Sequence, residues 1–186
     1  MFKIKRVSDC TFTDLTNVWN EAFSNYIVSM KSSVNQISGM MGKKDLLPSS
    51  SFVIYDGNRP IGFFLNAIKT INGVKVAWNG GTGVDPSYQG RGIGHLLLEA
   101  AMDMYNKELV ERATLEVLTD NLQGIKLYEK WGYKKTDIID SFSIKNQVIM
   151  KESIKGNHRY SVKRGHAMEV KSLDFYNHKV AWESMC

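Results

Sequence analysis

Apolar and basic residues alternate over residues 2–7, the two-residue period of a half-buried strand. The period then lengthens. Leu15, Val18, Trp19, Ala22 and Phe23 recur at the steps of one helical face, behind the helix-start chemistry of Thr11-Phe12-Thr13-Asp14. Over residues 26–47 the pattern weakens, and Met30, Ile37, Met40 and Met41 predict either a less regular connecting helix or a substrate-facing lid. Strand character resumes at residues 51–55 and, after the turn material Asp56-Gly57-Asn58-Arg59-Pro60, at 61–71. Asn72-Gly73 is a two-residue hairpin signal, so residues 74–84 return antiparallel. Gly80, Gly81 and Gly83 weaken the end of that strand and predict a bulge or the close approach of a ligand.

Ile93, Leu96, Leu97, Ala100, Ala101 and Met104 share one face of a longer helix. Residues 113–118 alternate as a strand, Asn121 caps a short helix over 122–131, and Gly132 closes it. Residues 133–144 predict one or two further strands. This order describes a mixed sheet with helices on its faces, an α/β or α+β layer fold. Residues 149–186, with Lys151, Lys155, Arg159, Lys163 and Arg164, lack clear periodicity and are expected to add a last strand or to be the stub of something longer.

Composition narrows the class. With 186 residues, 43% hydrophobic and 23% charged, the chain suits one globular domain with a substantial core and a small appendage. No apolar stretch approaches the roughly 20 residues of a membrane span. The N-terminus lacks a signal-peptide core, so no membrane partner is expected. Cys10 and Cys186 form no metal or redox motif, so no metal site and a reduced, cytoplasmic setting are expected. The net charge of +5 would suit nucleic acid or a polyanionic small molecule. Nucleic acid needs clustered basic and stacking residues, and these are missing.

The chemistry concentrates in Val84-Asp85-Pro86-Ser87-Tyr88-Gln89-Gly90-Arg91-Gly92-Ile93-Gly94. Alternating glycines ahead of an amphipathic helix leave backbone N–H groups uncovered at the positive end of a helix dipole, a socket for phosphate. A P-loop would follow its last glycine with Lys and a hydroxyl residue; here His95-Leu96 follow. A dinucleotide fingerprint counted from Gly90 needs glycine where His95 stands, within a parallel unit rather than a hairpin. The alternating glycines could also serve only to cap a tight strand-helix junction. The run Gln89-Gly90-Arg91-Gly92-Ile93-Gly94, after Val84-Asp85-Pro86 and before a Leu-rich helix, resembles the acetyl-coenzyme A motif of the GNAT superfamily of acetyltransferases. A second segment, Asn121-Leu122-Gln123-Gly124-Ile125-Lys126-Leu127-Tyr128-Glu129-Lys130-Trp131-Gly132-Tyr133, resembles that family's Asn…Leu-Tyr-Glu-Lys-x-Gly-aromatic stretch.

The resemblance implies a mostly antiparallel mixed sheet with helices on both faces, in a domain over residues 1–148 followed by an extension over 149–186. It implies N-acetyl transfer from acetyl-coenzyme A to a primary amine of a small molecule, peptide or protein. The attack would be direct, in a ternary complex, because neither cysteine lies near the motifs to carry an acyl group. A non-catalytic acyl-coenzyme A sensor is the alternative, and a homodimer stays open. Backbone at Thr82, Gly83 and Val84 would pair with the pantetheine arm, and Gly80 and Gly81 would keep its approach clear. Gln89, Gly90, Arg91, Gly92, Ile93 and Gly94 would hold the diphosphate. Tyr128 matches the family's general acid for the leaving thiolate. Glu116, placed mid-strand with a partly buried carboxylate, matches a base used by some members, or a structural hydrogen-bonding position. Another carboxylate position of the family is occupied by Gly80, which leaves a water chain as the other candidate for the base. Asp85 is expected to cap the turn. Asn121 would cap its helix and contact the cofactor, and His95 would be a surface residue without an obvious partner.

Overall fold

In a computed structural model of the protein, residues 1–26 and 29–139 are described. The chain divides into two compact units, Met1–Lys134 and Lys135–Cys186. The first holds five strands and four α-helices: β1 (Phe2–Arg6), α1 (Phe12–Ala22), α2 (Val34–Lys43), β2 (Phe52–Asp56), β3 (Arg59–Ile71), β4 (Val74–Val84), α3 (Ile93–Lys107), β5 (Arg112–Leu115) and α4 (Leu122–Lys130). Strand order in the sheet follows chain order. The first four strands are antiparallel, while β5 joins β4 in parallel through α3.

Local chemistry sets the element ends. Thr11 accepts the Asp14 N–H and starts α1. Residues 26–47, expected as a connecting helix or a lid, contain the ordered helix α2, where Ser33 and Gln36 form a reciprocal capping box. Asn72 and Gly73 both adopt positive φ, +51° and +82°, the requirement of a tight hairpin whose twist matches its strands. The earlier turn is shorter than expected, because Arg59 and Pro60 already belong to β3.

Alternation along β3 divides the core. Phe64 points to α3 and packs with Phe52, Ile54, Ala77, Ile93, Leu97, Leu98 and Ala101. Phe63 points the other way and stacks on Trp19 of α1, with ring centroids 5.2 Å apart. Helices therefore cover both faces of a mixed, mostly antiparallel sheet, as the sequence predicts. The face of α3 is rotated slightly from expectation: Leu98 and Tyr105 are buried, whereas Leu96 is half-buried.

Two strand expectations need correction. Residues 133–139 form no strand, since Lys134-Lys135-Thr136-Asp137 offers no apolar alternation to bury. Residues 140–144 and the extension over 149–186 lie outside the described residues. β5 ends at Leu115, short of the expected 118, because its ladder with β4 stops at the Asn79–Leu115 pair. The cause is a bulge in β4. Leu65 pairs with Gly81 while Asn66 pairs with Asn79, which leaves Gly80 as the extra residue that bends the strand. No described helix is long and apolar enough to cross a membrane.

Candidate active site

Beyond the bend, β4 keeps β3 on one side, in the pairs Leu65–Gly81, Phe64–Thr82, Phe63–Gly83 and Gly62–Val84. On its other side the β5 ladder has ended. In an antiparallel strand every second residue turns its N–H and C=O away from a given neighbour. Among the described residues no strand pairs with that side of residues 81–84, and the alternate backbone groups that turn towards it suit an extended ligand carrying amides. Thr82, Gly83 and Val84 stand on this edge as expected. The role given to Gly80 is different: a Cβ there would lie 2.6 Å from Leu46 and 2.7 Å from the Trp78 ring, so the chain's own side chains fill that space. Gly83 also answers to packing, with its missing Cβ replaced by Phe63 and Ala22.

The glycine turn follows directly. Asp85 begins a one-turn 3-10 helix, Pro86–Tyr88, by accepting the Ser87 N–H at 2.8 Å and the Ser87 hydroxyl at 2.6 Å. Burial opposes the Asp85 charge, but the Ser87 bonds and the Arg59 guanidinium, 2.6 Å away, outweigh it and hold its pKa below the ordinary value. Gln89 donates from Nε2 to the Val84 carbonyl at 3.3 Å, which ties the end of β4 to the turn. Gly90 and Gly92 adopt φ of +75° and +81°, and no atom would meet a Cβ at either. Their absent side chains serve backbone conformation and leave the surface above the turn open. Gly92 caps α3, whose first turn holds no acidic residue. The first intrahelical bond runs from Leu96 N–H to Gly92 C=O, so Ile93, Gly94 and His95 contribute helix-start N–H groups. Arg91 is exposed beside them, its guanidinium 4.9 Å from the Tyr88 ring centroid. Helix-start N–H groups and a guanidinium in one place are the chemistry an anion would need.

α4 packs against the start of α3. Asn121 accepts the Gly124 N–H at 3.0 Å and starts the helix. Gly94 lets Leu127 approach α3, since a Cβ there would lie 2.8 Å from Leu127 Cδ2. His95 departs from expectation: it is half-buried, and its Nδ1 accepts the Trp131 indole N–H at 3.1 Å because α4 packs against the first turn of α3. Tyr128 reaches β4 beside the Thr82 and Asn79 side chains. Burial pushes its phenol pKa up, those two polar neighbours pull the other way, and burial prevails. The proton therefore stays on Tyr128 at neutral pH. Asn79 anchors this group by donating to Thr82 Oγ1 at 2.7 Å and accepting the Gly81 N–H at 2.9 Å.

Glu116 lies one residue past β5, and its side chain is exposed rather than partly buried, because the bent β4 offers no rung there. Its Oε2 accepts the Trp78 indole N–H at 2.6 Å. Trp78 and Asn79 are consecutive on β4 and face opposite sides of the sheet. Glu116 and Tyr128 thus meet adjacent residues of β4 from opposite faces of the sheet. Tyr26 adds a phenol whose pKa is raised, first by burial and then by the Asp120 carboxylate. Asn79, Trp78, Tyr26 and Asp120 were not singled out from sequence. A polar Asn inside a strand between apolar neighbours is the one local signal that could have found Asn79.

The acetyltransferase (GNAT) family model matches residues 12–133 of this chain. N-alpha-acetyltransferase RimI of Mycobacterium tuberculosis is 43% identical over 56 residues, which is 30% of this chain and 34% of that protein. The ribosomal protein bS18 alanine N-acetyltransferase of Escherichia coli is 42% identical over 55 residues, 30% of this chain and 37% of that one. The matched stretch spans about a third of the length of these curated relatives. Among solved structures, that of the Escherichia coli ribosomal-protein-S18-alanine N-acetyltransferase shares the fold at TM-score 0.59 and 23% identity, over 74% of this chain and 80% of the other. The NatC complex bound to Gag peptide and CoA contains a chain similar at TM-score 0.59 and 20% identity, over 74% of this chain and 86% of that one.

Proposed function

The chain belongs to the GNAT acetyltransferase family, and from that premise we propose that it transfers the acetyl group of acetyl-coenzyme A to a primary amine by direct attack in a ternary complex. One observation carries the reading: Tyr128 of α4 meets Thr82 and Asn79 of β4, the strand that runs past the end of the β5 ladder into the glycine turn, and the cosubstrate would lie in the cleft along them. Backbone at Thr82, Gly83 and Val84 would hold the amide-bearing arm of the cosubstrate. N–H groups from Gln89, Gly90, Arg91, Gly92, Ile93 and Gly94 would hold its diphosphate, with Arg91 adding charge and Asn121 at the start of α4 as a further contact.

Acetyl-coenzyme A supplies the activated acyl group and a thiolate leaving group. Tyr128, kept protonated by burial, gives its proton to the departing sulfur. Glu116 takes the proton that the amine sheds, directly or through water. Tyr26 and Asp120, close enough for the carboxylate to raise the phenol pKa, would offer a hydroxyl and a carboxylate to the incoming amine. The acceptor proposed is the α-amine of a peptide or protein. The two curated relatives are named for α-amine and alanine acetylation, which makes an N-terminal alanine the first acceptor to test. A cytoplasmic setting accords with two cysteines that lie outside any redox motif.

Release of free coenzyme A, followed across peptides with varied first residues and a panel of small amines, tests this reading. Turnover that needs a free α-amine and vanishes with acetyl-capped peptides supports it. Release that proceeds at the same rate without any amine would overturn it.

A further inference from the structure

Trp78 is buried at 4% exposure, yet it carries a polar tip, and that tip meets the candidate base. We propose that Trp78 is a positioning residue for the transfer, fixing the Glu116 carboxylate where the ladder between β4 and β5 ends. The inference rests on the reading of Glu116 as the base and adds to it.

Glu116 stands just past the last rung of the sheet, where the ladder with β4 has ended. A glutamate side chain has several rotamers, and a base must hold one of them. The indole supplies one constraint. Its Nε1–H donates to Oε2 at 2.6 Å, a charge-assisted bond at the short end of the range. The donor is itself immobile. The ring fills the space that Gly80 leaves, with the place of a Gly80 Cβ 2.7 Å from Cζ3 and 3.0 Å from Cη2, and Leu46 enters the same space. Lys44 adds a cation 5.8 Å from the ring centroid. Gly80 thus makes room for the tryptophan that holds a carboxylate just past the end of the neighbouring strand.

The test pairs two substitutions and one spectrum. Trp78→Phe keeps an aromatic wedge and deletes the donor; Glu116→Gln deletes the base. Expected for Trp78→Phe is a fall in kcat on the order of tenfold, the scale of a hydrogen bond to a charged group. KM for acetyl-coenzyme A should stay within about twofold, and the Glu116→Gln background should show no further loss. In the full chain, the Trp78 indole N–H resonance should lie downfield and move upfield in Glu116→Gln, a readout independent of turnover and of whether Trp78→Phe folds. Unchanged kcat in Trp78→Phe, with turnover lost in Glu116→Gln, would overturn the positioning role and leave Glu116 as the base. Wild-type turnover in Glu116→Gln would overturn both. An indole resonance indifferent to Glu116→Gln would overturn the positioning role whatever the kinetics.

Discussion

Replacing Gly92 with alanine separates the two things this residue does. Gly92 sits at φ +81° and ψ +4°, in the left-handed region, at the cap of α3. No atom lies within 4 Å of a Cβ built there, so alanine meets no clash and the whole effect comes from backbone strain. A non-glycine residue in that region costs about 1–2 kcal/mol. If the turn holds its shape, that strain appears as lost stability, about 2–4 °C in Tm per kcal/mol for a chain of this size. If the turn relaxes instead, its N–H groups leave the anion socket and the same strain appears as weaker binding, roughly 5- to 30-fold for 1–2 kcal/mol. Denaturant unfolding and calorimetric titration with acetyl-coenzyme A, run on one preparation, should together recover the full strain. Gly92→Asn, which tolerates this region, should lose less on both scales. A Gly92→Ala protein with unchanged stability and unchanged affinity would refute the reasoning.

Tyr128→Phe should cut turnover by about 10²–10⁴-fold while leaving the acetyl-coenzyme A Kd nearly unchanged. Because burial raises the Tyr128 pKa above the ordinary tyrosine value of about 10, the wild-type rate should hold as pH climbs through 10 and fall only above it. The depressed Asp85 pKa contributes stability that is present above the unfolded value of about 4 and lost as pH falls through the folded value. Arg59→Ala should therefore destabilise the fold at pH 7 by about 1 kcal/mol, a modest figure because the guanidinium is largely solvated. The deficit should shrink in acid denaturation series taken below pH 4. Gly83→Ala forces a Cβ to within 2.5 Å of the Phe63 ring and 2.8 Å of Ala22. Its overpacking should cost about 1–3 kcal/mol in unfolding experiments.

The contrast between legible and illegible features follows the range of the interactions. Thr11, Asn121, Gly132 and the Asn72-Gly73 hairpin act within a few residues, so their chemistry is written where it operates. The helical face of α1 and the alternation of β3 are equally local. Glycine spacing marked β4 as bulged, but which glycine bulges depends on Leu46 and Trp78 competing for the same space, and no local pattern records that contest. The early end of β5 is its consequence, and it moved Glu116 out of the strand. His95 with Trp131, and Gly94 with Leu127, join α3 to α4 across long stretches of chain. Periodicity assigns a residue to a face; it does not say what comes to cover that face.

Backbone amide hydrogen exchange with and without acetyl-coenzyme A probes the cleft most directly. Slower exchange confined to residues 80–84 and 89–94 on adding the cosubstrate is the result expected of an edge and a turn that hold it through main-chain groups. Protection that falls elsewhere, or exchange in both segments that ignores a saturating concentration, would contradict it.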